Sequence, residues 1–109
     1  MRKTLILGVL VGLLSAASAF AAEPVKIGYL AALTGNDAAY GVAEVQSAQM
    51  YVTKRNNEGG VLGRPIELVV YDSKSRPEDA VNAVRRMIES DHAVAIVGSN
   101  TSGINIATA

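Results

Sequence analysis

"IELVVYDSKSRPEDAVNAVRRMI", Ile66 to Ile88, is the stretch whose reading decides the fold. It opens with seven residues, Ile66 to Asp72, in which Leu68, Val69 and Val70 are contiguous, as suits a strand covered on both faces. Ser73 to Arg76 reads as loop. Pro77 then stands where the first helical position tolerates a missing N–H, and Glu78 and Asp79 complement the positive end of the helix dipole. Ala80, Val81, Val84, Met87 and Ile88 recur at the spacing of a helix docked on a sheet, with Arg85 and Glu89 placed to pair across a turn on the outer side. A buried strand that feeds an amphipathic helix through a short loop is half of a βαβ unit.

The same alternation extends in both directions. Upstream, Val25 to Ala31 reads as a strand ended by a turn over Leu33 to Asp37. A helix follows from about Ala38 to Asn57, with Val42, Val45, Ala48 and Val52 marking one face, although Gly41 and several β-branched residues weaken it. Asn57-Glu58-Gly59-Gly60 stops it with a glycine free to turn left-handed, and Gly63-Arg64-Pro65 makes the turn into the next strand. Downstream, Ala93 to Gly98 reads as a third strand, and Ile104 to Ala109 as the start of a third helix. The order β-α-β-α-β-(α), with connections long enough to be crossovers, specifies an α/β fold: a parallel sheet with helices on both faces.

The first residues stand apart. Arg2 and Lys3 supply a positive segment, Leu5 to Leu14 an apolar core, and Ala19-Phe20-Ala21 a small-residue cleavage site, so residues 1–21 are expected to be a signal peptide. The apolar core is about half of the roughly 20 residues that a membrane span needs. Cleavage after Ala21 removes two of the ten basic groups and none of the ten acidic ones. The mildly acidic remainder has no electrostatic footprint for nucleic acid or an anionic membrane. Cysteine is absent, which rules out disulfides and a lipidated cysteine and favours a soluble periplasmic protein.

Parallel α/β sheets bind ligands at the carboxyl ends of strands, where strand order reverses. If the second and third strands flank the first, the loop after strand one (Leu33 to Gly41) and the loop after strand three (Ser99 to Gly103) meet there. In the second loop Ser99, Thr101 and Ser102 carry hydroxyls and Asn100 an amide, just where a helix begins. Free backbone N–H groups at that point make a cradle for a carboxylate or phosphate. The bland reading is that Ser and Thr merely cap the helix. Tyr40 is within reach of the same crevice, to cover a ligand or to pack on the sheet. Asp72 is expected to serve helix entry or a turn, and His92 to face solvent at the opposite end of the strands. With one histidine and no cysteine, no metal site is expected, and no cofactor motif is present: neither G-x-G-x-x-G, nor Walker A, nor G-x-S-x-G. No catalytic residue is expected.

The leader together with "VKIGYLAALTGNDAAYG", "NNEGGVLGRPIELVVYDSKSRPEDAVNAVRRMI" and "AIVGSNTSG" resembles the start of a periplasmic solute-binding protein of the branched-chain amino-acid (leucine/isoleucine/valine) type. The resemblance covers essentially all of residues 22–109. It implies the type I periplasmic-binding-protein fold, with residues 22–109 supplying the first β-α-β-α-β part of an N-terminal lobe, an incomplete chain. It implies a non-catalytic receptor of an ABC importer, expected to be monomeric, with a membrane permease as partner and a small amino acid or related carboxylate or amide as ligand. By position, the ligand carboxylate falls to Ser102 supported by Asn100 and Thr101, and the covering aromatic to Tyr40. Two departures from the family pattern stand out: Asn36-Asp37 in place of a Gly-Pro-like turn, and Gly103 where a second hydroxyl is common. The rival readings are an exported ligand-sensing domain of a signalling receptor and a flavodoxin-like enzyme, since S-x-T-S before a helix can also cradle phosphate.

Overall fold

The computed structural model describes residues 22–109; the expected signal peptide, residues 1–21, lies outside the described residues. Six elements follow one another: β1 (Val25–Ala31), α1 (Ala38–Asn57), β2 (Ile66–Asp72), α2 (Pro77–Glu89), β3 (Ala95–Val97) and α3 (Ser102–Thr108). The three strands form one parallel sheet in the order β2-β1-β3, with Val25 opposite Ile66, Ala31 opposite Asp72, and Ile27 to Tyr29 opposite Ala95 to Val97. Right-handed crossovers in opposite directions from the central strand put α1 on one face and α2 on the other. The α3 helix packs beside α2.

The core lies between the sheet and the α2/α3 layer. Leu30, Ala80, Ala83, Met87 and Ile104 form its buried cluster, with Tyr71, Val84, Ala93 and Ile96 packed around it. Gly28 on β1 makes room for Met87, because a Cβ at Gly28 would come within 2.6 Å of the Met87 sulfur. Sequence periodicity places α2 correctly but rotates its face slightly. Ala83 is buried, whereas Ile88 is 55% exposed. The expected Arg85–Glu89 pair is not among the ion pairs of the described residues, which are Arg55–Glu58, Lys74–Asp79 and Arg76–Asp79.

The inner face of α1 is also shifted by one residue from expectation. It runs through Gly41, Val45, Ala48 and Val52, while Val42 is exposed. The reason is the close approach of α1 to the end of β1: a Cβ at Gly41 would overlap the carbonyl of Ala32. Glycine there trades about 1 kcal/mol of helix propensity for that contact. At its other end α1 stops at Glu58, Gly59 (φ +106°) and Gly60 (φ +73°), with the Gly60 N–H on the Arg55 carbonyl. Val61 and Arg64 then exchange two backbone hydrogen bonds around a tight turn. Asn56 holds the entry to β2 by donating from Nδ2 to the Ile66 carbonyl (2.9 Å) and accepting the Ile66 N–H at Oδ1 (2.7 Å).

The third strand is shorter than Ala93 to Gly98. The Ala93 N–H is taken by the Met87 carbonyl as the chain leaves α2. Past Val97, Ser99 is gripped by Asn105, whose Oδ1 accepts the Ser99 N–H (3.0 Å) and whose Nδ2 donates to the Ser99 carbonyl (2.7 Å). That grip also starts α3 earlier than Ile104, at Ser102.

Candidate functional site

The strand order reverses at β1, so the crevice between the carboxyl ends of β1 and β3 is the switch point of the sheet. Three loops surround it, and each is fixed by a different device.

The loop after β2 supports the loop after β1. Asp72 ends β2, and its Oδ1 accepts the N–H groups of Leu33 (2.9 Å), Thr34 (3.2 Å) and Lys74 (2.7 Å), while Oδ2 accepts the Thr34 hydroxyl (2.7 Å). Burial pushes this carboxyl up. The hydrogen bonds from Thr34 Oγ1 and from the Lys74, Leu33 and Thr34 N–H groups outweigh that and hold it below the usual carboxylate range. Asp72 therefore serves a turn that spans two loops. Ser75 adds to it, donating its hydroxyl to the Thr34 carbonyl (3.1 Å) and accepting the Asp37 N–H (3.1 Å). Lys74 and Ser75 both hold left-handed backbone angles (φ +51° and +56°), a strained pair that lets the loop press against Gly35.

The loop after β3 is built differently. Ser99 is buried, and its hydroxyl accepts the Thr101 N–H (3.3 Å) and donates to Asn100 Oδ1 (3.3 Å). Asn100 and Ser102 are exposed and Thr101 is half-buried. Thr101 is the N-cap residue of α3, yet its side chain makes no capping bond. Its hydroxyl lies 3.2 Å from Asn100 Oδ1 and 3.4 Å from Asp37 Oδ2 across the crevice. Ser102 is the first residue of α3, and neither its hydroxyl nor its N–H has a partner among the described residues. The plain capping role weighed for these hydroxyls is thus not the one they fill.

The structure brings Asn100, Thr101 and Ser102 together on one turn and links Thr101 to Asp37. It does not bring Tyr40 to them. Tyr40, in the first turn of α1 and 67% exposed, lines a separate groove along that helix with Tyr29, Ala43, Glu44 and Tyr51. His92 faces solvent in the turn between α2 and β3, at φ +57°. Sequence reading missed Asn105, whose signal was an amide inside an otherwise apolar helical run, and it missed the reach of Asp37. Among the described residues no acid, histidine and cysteine cluster could hold a metal, and no helix is long and apolar enough to cross a membrane.

Comparison with known proteins agrees with this architecture. Residues 24–109 match the family described as periplasmic binding protein. A Leu/Ile/Val-binding protein, BraC3, from Rhizobium johnstonii is 37% identical over 82 residues, which are 75% of this chain and 22% of that protein. An amino acid binding protein of Pseudomonas aeruginosa is 32% identical over 101 residues, 93% of this chain and 27% of the relative. The crystal structure of the branched-chain amino acid transporter substrate binding protein LivJ from Streptococcus pneumoniae, in complex with isoleucine, superposes with a TM-score of 0.76. It is 36% identical, and the match covers 79% of this chain and 25% of that one. The chain thus spans about a quarter of the length of these relatives, and its parallel sheet corresponds to an N-terminal portion of their fold. The relatives are named as binding proteins, and the Streptococcus pneumoniae one as the substrate binding protein of a branched-chain amino acid transporter. With its parallel sheet, its switch-point crevice and a family match that runs from Pro24 to the last residue, the chain belongs to the periplasmic binding protein family.

Proposed function

We propose that residues 22–109 form the first part of the N-terminal lobe of a non-catalytic periplasmic receptor that feeds an ABC importer. Its ligand is a small amino acid, of branched-chain type or a related carboxylate or amide solute. Residues 1–21 act as the export signal, and the partner is a membrane permease. The complete receptor works as a monomer in which a second lobe closes over the crevice.

The observation that carries this reading is the unpartnered hydroxyl and N–H of Ser102 at the switch point, beside the exposed Asn100 and half-buried Thr101. Donors left open at the crevice can be taken by an acceptor, and a ligand carboxylate supplies two oxygens. Each hydrogen bond to the charged group contributes about 1.5–3 kcal/mol. Ser102 makes the direct contact and Asn100 and Thr101 shape the turn, while Tyr40 would have to turn its ring out of the groove along α1 to cover the ligand. Water exclusion on closure strengthens every one of these contacts.

Titration calorimetry on the two-lobed receptor that carries this lobe tests the reading. A panel of amino acids, their amides and aromatic acids is expected to give at least one saturable heat. A silent panel at millimolar solute, with a folded protein, sinks it.

A further inference from the structure

The two helices that flank the crevice are capped in an unusual way. Asp37 is the N-cap residue of α1 and Thr101 the N-cap residue of α3, and neither side chain bonds to its own helix. An N-cap Asp or Thr ordinarily turns its oxygen onto the N–H groups of the first turn. Here the two side chains face each other across the switch point, with Asp37 Oδ2 at 3.4 Å from Thr101 Oγ1. That is well beyond the roughly 2.7–2.8 Å usual for a hydroxyl donor, and the single Thr101 proton is shared with Asn100 Oδ1 at 3.2 Å.

Asp37 is therefore a half-buried carboxylate with most of its accepting capacity unused. An ionised carboxylate offers about four lone-pair sites, and the chain gives the side chain of Asp37 one long contact. Asp72, one loop away, shows the alternative: both of its oxygens are filled by bonds of 2.7–3.2 Å from four donors. The position of Asp37 is also fixed. Ser75 Oγ accepts its N–H, and its own carbonyl accepts the N–H groups of Tyr40 and Gly41. A fixed, undersatisfied acid at a crevice wall accepts hydrogen bonds from whatever enters, and repels a second acid.

We propose that Asp37 is a specificity-determining residue: across the switch-point crevice from Thr101, its carboxylate selects amino-acid solutes whose side chain donates hydrogen bonds over those with an aliphatic or acidic side chain. The inference rests on the receptor reading above and narrows its ligand. The carboxylate end of the solute stays with Ser102, and the donor-bearing side chain is directed to Asp37.

The test compares glutamine, leucine and glutamate by calorimetry on the two-lobed receptor and on its Asp37→Asn and Asp37→Ser variants. Glutamine is expected to bind the unaltered receptor at least tenfold more tightly than leucine or glutamate. In both variants the glutamine-to-leucine affinity ratio is expected to fall about tenfold, and the glutamate affinity to rise. Serine keeps a capping side chain, so the two variants agreeing excludes a helix-end defect as the cause. An unchanged glutamine-to-leucine ratio in variants that still bind overturns the role of Asp37 and leaves the receptor reading standing. Binding of none of these three by an unaltered receptor that does bind another amino acid, amide or aromatic acid overturns the role of Asp37 alone; silence across that whole wider panel overturns both.

Discussion

The two sides of β1 end in rims of opposite character. On the β2 side, Asp72 and Ser75 saturate the polar groups of the neighbouring loop, and the strained Lys74 and Ser75 backbone fits against Gly35 without space to spare. On the β3 side, Ser102 and Asp37 keep unused hydrogen-bonding capacity across the crevice. Both rims sit at carboxyl ends of parallel strands and both are rich in Ser, Thr, Asn and Asp. What separates them is topology. The chain passes from β2 to β3 by crossing over β1, so the loops after β1 and β3 diverge to helices on opposite faces and leave a gap. On the closed side Asp72 and Ser75 hold structure, although the buried Ser73 hydroxyl beside them has no partner; on the open side Ser102 and Asp37 are left for something else.

The strongest way to break this contrast is to destroy both rims together. Gly41 lies where the first turn of α1 meets the Ala32 carbonyl, directly after β1. Gly41→Val forces backbone apart at that point and is expected to destabilise the lobe by about 3 kcal/mol, read from urea denaturation. A loss below about 1 kcal/mol would mean that α1 can lift away from the sheet without consequence. Asp72→Ala is narrower. It strands the Leu33, Thr34 and Lys74 N–H groups and should lower stability by about 2 kcal/mol. Solute affinity in the remaining folded receptor should change less than threefold, and a large affinity loss at full stability would move Asp72 from the structural rim to the functional one.

Much of this contrast was legible in the sequence. The bounds of β1, α1, β2 and α2 follow from periodicity, Pro77 and the Gly59-Gly60 stop, because these signals are local. The polar loop after β3 was visible as the place where an apolar run ends. What escaped was side chain reaching back to backbone. The Asn105 side chain closes on Ser99 six residues earlier, and that clamp shortens β3 and advances α3 to Ser102. Asn56 does the same to Ile66 across ten residues. No periodicity carries such bonds. The shift of the inner α1 face from Val42 to Gly41 escaped for a related reason: glycine was read as a weakness of the helix, when the contact with Ala32 depends on its missing Cβ. Asp37 stood out in sequence as a departure from the family pattern, but only three dimensions place its carboxylate opposite Thr101.

The remaining predictions sharpen the comparison by smaller steps. Ser102→Ala leaves stability within about 0.5 kcal/mol, since this exposed hydroxyl bonds to nothing in the chain. It should weaken solute binding about tenfold, equivalent to roughly 1.4 kcal/mol. Unaltered affinity in calorimetry would remove Ser102 from the site.

Acid separates the two rims most gently. The Asp72 carboxyl is held below its ordinary range in the fold, so between its folded and unfolded pKa the unfolded chain binds more protons than the folded one. Its contribution to stability is therefore complete above the unfolded value, near about 3.9, and is lost as pH falls through the lower folded value. Asp79, held down chiefly by the hydrogen bond from Arg76, contributes in the same direction on the outer surface. A stability curve of the unaltered lobe thus mixes the two. The difference between it and Asp72→Asn isolates the closed rim, because asparagine keeps an acceptor for the loop N–H groups but has no proton to gain. The gap between the two curves should narrow as pH drops from about 5 toward 2. If the gap stays constant, the Asp72 clamp works as a set of neutral hydrogen bonds, and its charge contributes nothing to closing that side of β1.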